Sequence, residues 1–347
     1  MIRSRRLPRL SVLQWGVAMS TLPALWAALV FVLYTVVGLE FLRLPFLPIS
    51  MVGTAVAFYV GFKNNSSYDR FWEGRKIWGG VVNTSRTWAN GVLAYIDPDD
   101  EHPASAGIRR ELIYRHVAWV NALRLQLRRK SRFYDRPAFS TARRLKRHKD
   151  HMRNNWDKEL APFLSDDELR RVSQMVNPAT HLVAEQGKVL ARQVEAGRLN
   201  LFRQLELMKN LEELYTLQGK CERIKNTPFP RQYADYSRIL TRVFVFLVPL
   251  GMLDVFGEKI RVGDPELLFS DISYWAPVIP MLMASALVAW VFQSMESIGD
   301  ASEDPFERSM NDVPMNALSR TIERDLRQLL GETDIPAPEQ TIDGILY

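Results

Sequence analysis

Three stretches of this 347-residue chain contain no charged residue: 10–39, 44–62 and 272–295. At ~1.5 Å per helical residue, each is long enough to cross a hydrocarbon core of ~30 Å. A fourth run, 239–256, carries Arg242 and Asp254 only near its ends, where charged side chains snorkel to the interface. The pattern predicts an all-α membrane protein with four transmembrane helices and a large cytosolic helical region between the second and third. The second and third spans are expected to be short or partly shielded by protein.

Charge sets the expected orientation. Arg3, Arg5, Arg6 and Arg9 precede the first run, the block from 63 to 238 is strongly basic, and the loop 254–271 is mostly acidic. Positive-inside bias then places both termini and the central block in the cytoplasm, with basic loops beside anionic lipid. The first run is too long, and lacks a small-residue cleavage site, for a signal peptide. One cysteine, Cys221, excludes an intrachain disulfide or a cysteine-based metal cluster.

The first span is expected over about 21–42 with an amphipathic lead-in at 10–20, and the second from near Pro48, continuing past the membrane into Arg75. Further helices are predicted at 109–132, from Ser165 with its acidic first turn, at 178–195 closed by Gly197, at 199–223 and at 315–331. Residues 132–153, RFYDRPAFSTARRLKRHKDHMR, read as a solvated basic insertion, and the tail from Thr333 as disordered. This gives five segments: 1–62 with the first two spans, 63–238, 239–295 with the last two, a connector and helix at 296–332, and the tail 333–347.

Residues 61–79 read GFKNNSSYDRFWEGRKIWG, an unusual density of specific polar and aromatic groups at the exit of an apolar helix. Near the other end, 298–326 read IGDASEDPFERSMNDVPMNALSRTIERDL. Together the two segments closely resemble the bestrophin family, including its bacterial members, which form pentameric ion channels. The resemblance implies a homopentamer in a bacterial inner membrane that passes small monovalent ions. The family is known mostly for chloride, while bacterial relatives can favour cations.

Counting back from Tyr68-Asp69-Arg70, the resemblance matches Thr54, Phe58 and Phe62 to the family's apolar pore neck. Their i, i+4, i+8 spacing puts them on one stripe, where rings of apolar side chains gate by dewetting. Taken without the resemblance, such a stripe packs on other helices or faces lipid. Thr54 departs from the apolar pattern and makes the outer ring wetter. Gly53 and Gly61 suit close helix approach, or follow from the frequency of glycine in such helices. Asn64, Asn65, Ser66 and Ser67 offer groups that replace part of an ion's hydration shell, or simply end a helix in water. Tyr68, Asp69, Arg70, Trp72, Glu73 and Arg75, with Asp304, Pro305 and Phe306, form the structural family motif. It is read as opposite charges at helical spacing beside an aromatic belt of Trp72 and Trp78.

The segment 205–221, LELMKNLEELYTLQGKC, resembles the helix that supplies the family's cytosolic aperture and matches Leu205 to that ring; a core leucine is the alternative. Glu206, Glu212 and Glu213 would bias a vestibule towards cations, and Arg198 and Arg203 would oppose them. Some relatives bind calcium after the last span, but 307–312 read ERSMND and lack the dense carboxylate run that six to eight oxygens need. No metal and no cofactor are therefore expected. The cluster Arg143, Arg144, Lys146, Arg147 and Lys149 lacks the fold motif and stacking aromatics of a nucleic-acid site. His148 and His151 lack a supporting acid, and no nucleophile–base pairing suggests an enzyme. The competing class is a membrane-anchored protein whose basic region docks a partner without conduction. A secondary transporter would need an internal repeat, which the sequence lacks.

Overall fold

A computed structural model describes residues 1–2, 9–99, 101–129, 146–147, 152–257, 278–309 and 311–347, with side chains from 14 onward in the first helix. Arg3, Arg5, Arg6, most of the basic insertion with His148 and His151, and most of the acidic loop lie outside these residues. Among the described residues the secondary structure is helical, and β pairing is limited to isolated bridges at the chain ends. The α-helices with described bounds follow in order: α1 Arg9–Thr35, α2 Phe46–Tyr95, α3 Ser105–Leu127, α4 Trp156–Leu160, α5 Asp166–Ser173, α6 Pro178–Glu195, α7 Leu201–Asn226, α8 Arg231–Phe256, α9 Val278–Glu303 and α10 Met315–Leu329. They form two compact units. One comprises 4–69 and 229–303; the other comprises the first residues with 70–228 and 304–347. Helix α2 supplies residues to both.

The first unit holds α1, the start of α2, α8 and α9, and the four membrane spans lie on these helices. α1 is continuous from Arg9, so the expected lead-in and the span form one helix. It stops at Thr35 rather than 42, where Gly38 takes φ +76 and a short 3₁₀ turn, Glu40–Leu42, leads into α2. Trp26 stacks on Phe246 at 4.6 Å and its Nε1 donates to the Phe246 carbonyl at 2.9 Å, fastening α1 to α8. α9 runs to Glu303, eight residues past the last uncharged position, because its acids find partners within the unit.

The second unit is built on the remainder of α2, which continues 20 residues beyond Arg75, to Tyr95. Its continuation buries Trp78, Val81, Ser85, Trp88 and Val92 on one face, against α3, α6 and α7. Local capping fixes the shorter helices. Ser165 Oγ accepts from the Glu168 amide, Asn177 Oδ1 from Thr180, and Asn200 Oδ1 from Phe202. Pro178 opens α6 and Gly197 follows it at φ +74. Buried Arg124 is held by Asn121, Asn316, Glu159 and the Arg153 carbonyl. Cys221 is fully buried on α7, and burial pushes its thiol pKa up.

The tail corrects the expectation of disorder. Ile342, Ile345 and Tyr347 pack on Met152 and Ile2, and Leu346 exchanges backbone hydrogen bonds with Met1. The Ala317 amide, in the first turn of α10, donates to the Tyr347 carbonyl at 2.9 Å; Pro314, at the cap position, has no side chain to offer it. These partners are remote in sequence, so no local pattern announced them.

His116 is sealed between Trp88 and Trp119, its Nε2 2.8 Å from Ser85 Oγ. Burial lowers its pKa from 6.5 to about 3. The folded state therefore binds fewer protons than the unfolded one, and stability present above pH 6.5 is lost as pH falls towards 3. By pH 4 the loss should reach about 3 kcal/mol. Replacing His116 with Gln is expected to flatten this acid slope, measured by denaturant titration between pH 7 and 4 with tryptophan fluorescence as the signal. An unchanged slope would assign the acid sensitivity elsewhere.

Candidate functional site

On α2 the faces separate sharply. Ile49, Gly53, Val56, Val60, Lys63 and Ser67 turn into the membrane unit and are buried. Close packing on this side depends on glycine. A Cβ at Gly53 would stand 2.5 Å from the Phe244 ring, and one at Gly251 2.8 Å from Ile49. On the other side Thr54, Phe58 and Phe62 are exposed, both phenylalanines at 67%. The three form one lip of a groove of about 730 Å³, whose far wall is Phe244, Val248 and Phe292. Thr54 Oγ1 spends its proton on the Ser50 carbonyl at 3.0 Å, leaving oxygen lone pairs outward.

The four polar residues after the stripe do not act as one group. Asn65 and Ser66 are exposed, and Asn65 lines the groove. Asn64 instead donates to the Met295 carbonyl at 3.0 Å and sits over Gly299, where any Cβ would collide with its amide oxygen. Ser67 is fully buried. A 100° step per residue necessarily splits four consecutive positions among several faces.

Sequence reasoning missed Lys63. It is fully buried, and its ammonium pairs with Glu296 Oε1 at 3.1 Å and with Asp300. Arg238 of α8 reaches the same carboxylates, Asp300 at 3.2 Å and Glu296 at 3.8 Å. Two cations and two anions thus neutralise one another across α2, α8 and α9, one residue beyond Phe62. The available signal was an i, i+4 acid pair just past the last apolar run, matched by a lysine just past the second.

In the second unit the two halves of the sequence motif meet. Arg70 donates to the Ile224 and Thr227 carbonyls at 3.1 Å each and approaches Asp304 at 3.6 Å. Gly74 accommodates Phe306 and Pro305, whose nearest atoms would lie 3.3 and 3.4 Å from an added Cβ. Glu73 pairs with Arg223 at 2.5 Å. Arg70 and Glu73 therefore reach other elements, which corrects the salt-bridged helix surface expected from spacing. Tyr68, Asp69 and Trp72 are exposed, Trp78 is core and outside any aromatic belt, and Arg75 lies half-buried beside Gly79.

Leu205 is 52% exposed on α7 and lines a groove of about 1100 Å³ with Tyr95, Phe202, Met208, Glu212 and Tyr215. Its core neighbours are Leu207, Leu211 and Leu214 on the opposite side, so the core-leucine alternative does not apply. After α9, Glu307 pairs with Lys225, and burial raises its pKa. Asp312 is buried too, its pKa pushed up to about 7 by burial. Among the described residues no three His, Cys, Asp or Glu gather as a metal-ligand set.

This arrangement, four membrane-spanning helices joined to a helical unit closed by the two-part motif, is that of a known family. A family model described as bacterial/fungal bestrophin protein matches residues 2–328. Among relatives, the voltage-dependent anion channel-forming protein YneE of Escherichia coli strain K12 is 30% identical over 313 residues, covering 89% of this chain and 84% of that protein. The voltage-dependent anion channel-forming protein RSc3414 of Ralstonia nicotianae is 30% identical over 288 residues, 83% and 78% of the two chains. A solved bacterial bestrophin homologue from Klebsiella pneumoniae shares the fold at TM-score 0.70 and 24% identity, over 91% of this chain and 98% of that one. The chain belongs to the bestrophin family.

Proposed function

We propose that the protein is the subunit of a homopentameric channel for small monovalent ions in a bacterial inner membrane, with both termini cytoplasmic. Thr54, Phe58 and Phe62 form its neck rings, Asn65 and Ser66 its polar exit, and Leu205 its cytosolic aperture. The observation that carries this reading is the contrast between exposed faces in the membrane unit. α1 presents Leu22, Leu25, Leu29 and Val32, and α9 presents Ile279, Met283, Leu287 and Val291, as lipid requires. α2 presents Thr54, Asn65, Ser66 and Asp69 among its apolar residues, a face suited to neighbouring copies around water. The relatives' names support anions as the permeant class.

In planar bilayers under a salt gradient, the purified protein is expected to carry current whose reversal potential moves towards the chloride equilibrium potential. A move towards the cation's equilibrium potential would reassign the ion. No current from a folded pentamer would remove the channel reading altogether.

A further inference from the structure

We propose that Glu212 is the residue that limits anion passage at the aperture. The inference rests on the reading of Leu205 as a ring residue and deepens it. At 100° per residue, positions 205, 209, 212, 216, 219 and 223 of α7 fall within about 40° of one line, and all six are exposed. A ring of copies that turns Leu205 to the axis turns the whole stripe with it.

The stripe carries three charges, and two are compensated. Lys209 Nζ lies 2.8 Å from Glu206 Oε1, and Arg223 Nη2 lies 2.5 Å from Glu73 Oε1. Glu212 has no hydrogen-bond or ion-pair partner among the described residues, and it lines the groove that Leu205 lines. Two further cations border that groove and both are engaged. Lys188 pairs with Glu185 at 2.7 Å, and the Arg203 guanidinium stands over the Tyr95 ring at 5.7 Å. The uncompensated charge on the stripe is therefore negative and comes from one position.

Seven residues of helix separate Glu212 from Leu205 by about 10 Å along the axis, close to one Debye length in ~0.1 M salt. A ring of carboxylates at that distance enriches cations and depletes anions where they approach the aperture. The sign of this effect is independent of which ion the neck prefers. Arg198 and Arg203, the cations that sequence alone sets against the acids, keep their charge but lie off this stripe. Arg203 leaves α7 about 160° around the helix from Leu205, over the Tyr95 ring, and Arg198 precedes α7, donating to Gln193 Oε1 at 2.8 Å.

The test is the reversal potential under a steep KCl gradient for wild type, Glu212→Gln, Glu206→Gln and Glu213→Gln. Glu212→Gln should lower the cation-to-anion permeability ratio by about tenfold, and the shift should shrink as ionic strength rises. Glu206→Gln, which frees Lys209, should shift in the same direction. Glu213→Gln, 100° around the helix, should leave the ratio near wild type. An unchanged ratio for Glu212→Gln in a conducting pentamer overturns this assignment while leaving the channel reading intact. Wild-type pentamer without current overturns both.

Discussion

Lys63→Met is expected to lower the unfolding free energy of the detergent-solubilised protein by about 3 kcal/mol. Removing one partner from a buried ionic cluster costs about 3–5 kcal/mol, because the remaining charges are left without compensation. Here the orphans are Glu296 and Asp300, still within reach of Arg238, which sets the expectation at the lower bound. Replacing Lys63, Arg238 and both acids together by apolar residues of similar size should recover much of the loss, since an apolar core needs no internal neutralisation. Thermal and denaturant unfolding of the single and quadruple variants measure this. A single variant as stable as wild type would mean that the cluster is hydrated and contributes little. The register of α2 is at stake as well, because Lys63 adjoins Phe62 and fixes which face of the helix points outward.

Truncating Phe58 and Phe62 together to Ala should raise single-channel conductance on the order of fivefold, by removing the large apolar groups that dewet a narrow pore. Both side chains are two-thirds exposed within the chain, so the substitution empties no core and should leave folding nearly untouched. That makes the measurement clean: conductance reports the neck, and thermal unfolding reports the fold. If the stripe faced lipid, current through the pentamer would be unchanged, and that result would sink the neck assignment.

The membrane helices were legible because the absence of charge is a property of consecutive residues. Caps were legible for the same reason: Ser165 with its acids, Pro178 and Gly197 each signal within one turn. The two-part motif was legible through resemblance, although spacing alone gave its charges the wrong partners. Arg70 and Glu73 choose carbonyls and an arginine at least 150 positions away. Lys63 was hidden for the same reason, since its acids lie on the last span and a lysine at a helix exit reads as solvated. The split between Asn64 and Asn65 depends on Gly299, whose missing side chain lets one amide inward. α1 was cut in the wrong place because an apolar lead-in and an apolar span look alike until a left-handed glycine ends the helix. The extension of α2 to Tyr95 follows from a tryptophan and valine face whose partners belong to three other helices. The tail has little local pattern of its own, and its order comes from residues at the opposite end of the chain.

The burial of Cys221 has a practical side. As the sequence's single cysteine, with a shielded thiol that stays protonated, it should ignore maleimides while the protein is folded. The wild-type chain therefore serves as its own blank for spectroscopic labelling. A cysteine placed at Phe58 or Glu212 would carry the only reactive sulfur of each subunit, and distances between spin labels on a symmetric ring would report how wide it is and how many copies compose it.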